Sequence, residues 1–141
     1  MSRAQTAGTG PTPLRLPSLG ESASDDFNLS AEKRLGEQIM REIRRDPDFI
    51  DDPLVNDYLQ SIWQPIVKAA RERGDIGADV ALIFPFEAFL VRDRSVNAFA
   101  LPGGYVGVHL GLIAMTATRD ELASVLAHEF SHISQRHIAR S

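Results

Sequence analysis

Residues His128-Glu129-Phe130-Ser131-His132 form the pattern H-E-x-x-H, and their types and spacing suit metal-assisted hydrolysis. On a helix, residues i and i+4 lie one turn apart on one face, so both imidazoles can reach a single ion. Zinc held by such a pair lowers the pKa of a water ligand to about 7 and polarises a substrate carbonyl. Glu129 projects beside the pair, placed to take a proton from that water and move it towards the leaving amine. His128 and His132 are therefore the candidate ligands of a Zn2+ cofactor, and Glu129 is the candidate catalytic base. Shuffling this composition produces the pattern in about one sequence of two hundred. The competing reading is a helix with two solvated or capped histidines.

A structural or catalytic zinc needs at least a third protein ligand, and none is evident. The chain has no cysteine, which rules out thiolate ligands and disulfides. His137 stands nine residues beyond His128, half a turn round the helix and so on its opposite face. The longer pattern H-E-x-x-H-x-x-G-x-x-H would need glycine at 135 and histidine at 138, where the chain has Gln135 and Ile138. Glu121 shares the ligand face but lies about 10 Å down the helix from His128. Glu87 and Asp93 reach the ion only if the fold carries them over. His109 falls on an expected strand, where it either lines the cleft or packs.

The elements that must position these groups follow from spacing and caps. Thr118 and Glu121 make a capping box that opens the motif helix. Small residues at Ala123, Ser124, Ala127 and Ser131 let neighbouring chain come close. Val80 to Val91 is apolar and β-prone but interrupted by Pro85, which predicts one or two short strands. Val96 to Leu101 and Tyr105 to His109 flank Pro102-Gly103-Gly104 and predict a hairpin or tight corner. Leu110 to Met115 reads as a short helix or turn. Upstream, Asp52 caps a helix with Pro53 at its first position. Its apolar pairs run from Leu54/Val55 through Tyr58/Leu59 and Ile62/Trp63 to Ile66/Val67, with Pro65 inside and Gly74 and Gly77 at the end. A first helix is expected to start after Ser30 and to bury Ala31, Leu35, Ile39 and Ile43. Residues 1–28 are rich in Gly, Pro, Ser and Thr and read as a flexible leader.

The 141 residues suit one domain with a modest core. A net charge of −4 without a basic stripe argues against nucleic acid as a partner. No apolar run approaches the roughly 18 residues that span a bilayer, and Met1 to Gly20 lack the apolar stretch of a signal peptide. A cytoplasmic protein, or one whose export signal precedes this numbering, fits equally well.

Asn97-Ala98-Phe99-Ala100-Leu101-Pro102-Gly103-Gly104 followed by Leu126-Ala127-His128-Glu129-Phe130-Ser131-His132 resembles the HtpX/CAAX-prenyl-protease-like family of zinc metallopeptidases. The tail from Ile133 to Arg140, and Leu16-Pro17-Ser18-Leu19-Gly20, resemble its soluble, periplasmic, β-barrel-assembly-enhancing branch, whose members carry C-terminal tetratricopeptide repeats. The resemblance covers roughly residues 16–141. It implies an α+β, zincin-like fold, mostly helical, with a small sheet beside the motif helix. It also implies that Asn97, Ala98, Phe99 and Ala100 line the cleft as the substrate-binding strand, pairing with an extended protein or peptide. By resemblance, the function is a zinc metalloendopeptidase acting on envelope proteins in quality control, located in the periplasm, in association with outer-membrane assembly machinery.

In that family the third ligand is a glutamate on a later helix. Residues 29–141 are accordingly expected to be the N-terminal part of a peptidase domain, cut short, with weak zinc binding and little or no activity alone. The other readings are a non-catalytic protein-binding module that keeps the fold, and a helical scaffold with a chance motif.

Overall fold

The structure is a computed structural model that describes residues 18–140, with side chains described over residues 28–134. In chain order the elements are α1 (Ser18–Arg45), α2 (Pro53–Arg73), α3 (Ala78–Ile83), β1 (Glu87–Val91), β2 (Ala98–Leu101), β3 (Tyr105–His109), α4 (Leu110–Met115) and α5 (Arg119–Arg140). The fold is α+β, mostly helical with one small sheet of order β1-β3-β2. β1 runs parallel to β3 and β2 antiparallel to it. The expected hairpin is therefore β2–β3, turning through Pro102-Gly103-Gly104, where Gly103 (φ 86°) and Gly104 (φ 81°) take the left-handed backbone that suits glycine. To enter β2 from the far side of β3, the loop 92–97 crosses the end of β3 at His109.

Alternation along the strands gives the sheet two apolar faces. Ala88, Leu90, Ala98, Val106 and Val108 face the main core, built with Leu59, Ile62, Trp63 and Val67 of α2 and Leu122, Leu126, Phe130 and Ile133 of α5. Phe89, Val91, Phe99, Leu101 and Tyr105 face a smaller cluster with Met40 and Ile43 of α1. The α2 start follows the expected chemistry: Asp52 Oδ1 accepts from the Leu54 amide at 2.9 Å. The helix passes through Pro65 and closes at Gly74 (φ 77°). Its buried stripe is narrower than the pairs suggested, since Leu54 and Tyr58 are exposed.

Three expectations are corrected. Val80 to Ile83 is helical, in α3, and only 87–91 is strand. Four apolar residues are too few for periodicity to separate the two states; Val80 is buried while Leu82 is 87% exposed, a helical alternation of faces. Secondly, α1 begins by Ser18, so Ser30 and Glu32 lie inside it and residues 18–28 are helix rather than leader. No proline lies between Ser18 and Ser30 to stop the helix, so a good capping residue does not become a cap. The rest of the expected leader, residues 1–17, lies outside the described residues. Thirdly, Leu35 is exposed, and the buried face of α1 is carried by Gly36 and Met40.

That rotation of α1 has a local cause. A Cβ on Gly36 would run into the Pro102 carbonyl oxygen, so glycine lets α1 lie directly against the hairpin turn. One residue along the turn, the Gly103 amide donates to Glu32 Oε2 at 3.2 Å. Gly36→Ala is expected to lower the unfolding free energy by about 1–3 kcal/mol, read by urea titration. Arg34→Ala, on the exposed side of α1, should change it by less than about 0.5 kcal/mol.

Candidate metal centre and cleft

The motif helix starts as its sequence indicates. Thr118 Oγ1 accepts from the Glu121 amide at 3.1 Å, and Glu121 Oε1 accepts from the Ala117 amide at 2.6 Å. Glu121 is thereby spent on the start of α5, about two turns before His128 on the same helix.

What sets the rotation of α5 is Phe130, inside the motif itself. Its buried ring packs edge-on to Trp63, with centroids 5.4 Å apart, and against Phe86 at 5.6 Å. Trp63 Nε1 in turn donates to the Phe86 carbonyl at 2.8 Å. Phe86 is fully buried with φ 50°, an uncommon conformation for a bulky residue, held by these two aromatic neighbours. Leu122, Leu126, Phe130 and Ile133 form the inward stripe of α5. With Phe130 turned in, His128 and His132 are left exposed and Glu129 half-buried between the two surfaces.

The two imidazoles converge. His128 Nε2 and His132 Nε2 lie 3.1 Å apart, their rings nearly perpendicular at 87° with centroids 4.6 Å apart. Two nitrogens bound to one tetrahedral zinc at the usual bond lengths stand roughly 3.3–3.4 Å apart, so this donor pair fits the ion with little movement. Among the described residues the Glu129 carboxylate makes no hydrogen bond or ion pair. Ser131 Oγ donates back to the His128 carbonyl at 2.8 Å, so its hydroxyl serves the helix rather than the cleft.

No third ligand joins the pair among the described residues. Glu87 opens β1 opposite Tyr105, and Asp93 Oδ1 accepts from the Ser95 amide at 2.8 Å. His109 engages Ser95 rather than the motif histidines: its Nδ1 lies 2.6 Å from Ser95 Oγ. The ring of His137 lies outside the described residues.

Beside α5 stands β2, at one edge of the sheet. The opposite edge, on β1, is closed. The Ile50 amide donates to Leu90 O (3.1 Å) and the Arg92 amide to Asp48 O (2.7 Å), while Gln60 Nε2 donates to Ala88 O (2.8 Å). On β2 the His109 amide donates to Asn97 O at 3.0 Å, so residues 97, 99 and 101 point their main-chain groups inward to β3. Ala98 and Ala100 point theirs outward. Asn97 Oδ1 takes the Ala98 amide at 2.9 Å, leaving Ala98 O and both groups of Ala100 open among the described residues. The side chains divide the other way: Ala98 packs towards the α5 side, whereas the Phe99 ring lies across Gly107 on the α1 side, edge-on to Phe89.

Sequence reading did not find the Trp63–Phe86–Phe130 cluster. The available signal was an aromatic at the inward position between the two histidines, which needs a large buried partner on a neighbouring helix.

Residues 53–141 match the family model Peptidase family M48. The chain is 38% identical over 129 residues to a putative beta-barrel assembly-enhancing protease of Vibrio cholerae, covering 92% of this chain and 25% of the relative. The beta-barrel assembly-enhancing protease of Yersinia pestis is 36% identical over 98% of this chain and 26% of the relative. The mitochondrial metalloendopeptidase OMA1 of Schizosaccharomyces pombe is 31% identical over 82% of this chain and 32% of the relative. The chain thus spans a quarter to a third of the length of these curated relatives.

Phe130→Ala is expected to cost about 3–5 kcal/mol of stability through the cavity it leaves against Trp63 and Phe86. Trp63→Phe should cost about 1–3 kcal/mol, because the Phe86 carbonyl loses its buried donor. Denaturant unfolding of both variants checks the order.

Proposed function

The chain belongs to peptidase family M48, and from that premise we propose that it carries the zinc-binding helix and substrate strand of a zincin-like metalloendopeptidase. The observation that carries the reading is the pair of Nε2 atoms 3.1 Å apart on the exposed face of α5, with half-buried Glu129 next to His128 in the chain and an open strand edge alongside. His128 and His132 would hold the ion. Bound there, zinc supplies Lewis acidity, which makes a peptide carbonyl susceptible to water at neutral pH.

The remaining chemistry belongs to the chain. Glu129 takes the proton of the attacking water and delivers it to the departing amine, the role its unpaired carboxylate allows. Ala98 and Ala100 offer main-chain acceptors and a donor that hold a peptide extended beside α5. The substrates are proteins in extended form. By the family resemblance, envelope proteins in quality control are the favoured class and the periplasm the favoured place, and relatives named for beta-barrel assembly favour outer-membrane assembly machinery as a partner. No helix among the described residues is long and apolar enough to cross a membrane.

Residues 29–141 form the N-terminal part of the peptidase domain in this reading, and the third ligand comes from outside the described residues. The lack of a third ligand among those residues also favours a second reading, a protein-binding module that keeps the fold without the reaction. Glu129→Gln separates the two. Metal content and peptide hydrolysis should be measured on these 141 residues and on a chain of the relatives' full length. The expected result is weak zinc uptake and little hydrolysis by the short chain, both recovered in the long one. In the long chain Glu129→Gln should keep zinc and fold but lose turnover, whereas His128→Ala and His132→Ala should lose zinc as well. Tight one-to-one zinc with robust hydrolysis in the short chain would place the third ligand among the residues present. A long chain without turnover, indifferent to Glu129→Gln, would support the binding module.

A further inference from the structure

Where the loop 92–97 delivers the chain into β2, three polar side chains gather: Asp93, Ser95 and His109. Residue types alone suggest a nucleophilic triad, but the geometry excludes one. Ser95 Oγ lies 2.6 Å from His109 Nδ1, and Asp93 Oδ1 lies 3.8 Å from the same nitrogen. A triad needs the hydroxyl and the carboxylate on opposite ring nitrogens. Here both partners meet one nitrogen, an arrangement that holds chain in place and activates nothing.

His109 is also the N-cap residue of α4, a position that favours Ser, Thr, Asp or Asn because their side chains bond the first helical amides. It makes no such bond. The α4 amide of Gly111 is satisfied instead by the Asp93 carbonyl at 2.9 Å. The imidazole is thereby released to the loop, and His109, through ring and main chain together, meets every second residue from Ser95 to Phe99. Its Nδ1 bonds Ser95, its own amide donates to Asn97 O at 3.0 Å, and its ring stands edge-on to Phe99 with centroids 5.6 Å apart. Asp93 braces Ser95 by accepting its amide at 2.8 Å, and that bond, with the Ser95 hydroxyl and the nearby imidazole, holds the Asp93 carboxyl below its ordinary range.

We propose that His109 is a positioning residue for the substrate strand. By gripping Ser95, Asn97 and Phe99 together, it fixes the register in which β2 offers Ala98 O and the main-chain groups of Ala100 beside the motif helix. The inference rests on reading β2 as the substrate edge, and it adds the residue that holds that edge at the end away from α1.

The test uses the 141-residue chain, amide hydrogen exchange followed by NMR, and the affinity of a fluorescein-labelled extended peptide of alternating Thr and Val. His109→Ala and Ser95→Ala should each speed exchange of the Phe99 and Leu101 amides about tenfold, the equivalent of one lost hydrogen bond, and weaken peptide binding by a similar factor. Amides of β1 and α2 should keep their rates. His109→Asn, whose amide group stands where Nδ1 stands, should remain within about threefold of the parent, while His109→Gln, whose amide stands where Nε2 does, should behave like His109→Ala. Faster exchange spread evenly into β1 and α2, or His109→Asn no better than His109→Gln, would overturn the proposed grip. Local loosening with unchanged peptide affinity would overturn the positioning role. A parent chain that binds no extended peptide would instead overturn the reading of β2 as substrate edge, and the exchange pattern would still decide the grip.

Discussion

The packing of Phe130 between Trp63 and Phe86 is the contact on which the rest of the candidate centre depends. This helix carries both the inward stripe and the exposed histidine pair, and on a cylinder the two cannot be rotated separately. Seating Phe130 in the core fixes the azimuth of α5, and with it the exposure of His128 and His132. The contact reaches further because the Trp63 indole also holds the Phe86 carbonyl. Phe86 stands immediately before β1, so one aromatic cluster ties the motif helix, the long helix α2 and the entry of the sheet into a single rigid piece.

The sheet turns its two edges to different ends. On β1 the outward Ala88 and Leu90 carbonyls, with the Arg92 amide just beyond it, are taken by Gln60, Ile50 and Asp48, so that edge is covered by α2 and the segment before it. On β2 the outward groups of Ala100 and the Ala98 carbonyl have no such cover among the described residues. The strand is held at both ends nonetheless: α1 presses on the Pro102–Gly103 turn, and His109 grips the loop at the other end. A short edge strand fixed in this way presents its main-chain groups without the fraying that open edges usually suffer.

Much of this was legible in the sequence wherever a local signal has one structural answer. The Thr118–Glu121 box, the Asp52-Pro53 start and the Pro-Gly-Gly turn each satisfy their own backbone groups, so tertiary context had little to add. The H-E-x-x-H spacing dictated that the imidazoles share a face, and they do. What failed was what distant chain decides. Ser30 is a competent cap with nothing to stop the helix running through it, and Leu35 loses its place in the core because Gly36 must meet Pro102. Val80 to Ile83 carries β-prone residues in a stretch too short for periodicity to tell strand from helix. Phe99 was expected to line the cleft, but its parity on β2 sends the ring to the α1 side, away from the motif helix.

The open edge of β2 has a consequence for what this surface can distinguish. Its free groups are three main-chain atoms, and main-chain atoms are the same in every polypeptide apart from proline. On the proposed reading of β2 as the substrate edge, a partner would be sorted by conformation before composition: a segment already committed to helix or to its own sheet has no spare donor or acceptor to offer, whereas an unpaired segment has both. In that role the edge would measure whether a chain has finished folding, and would be nearly blind to which chain it is.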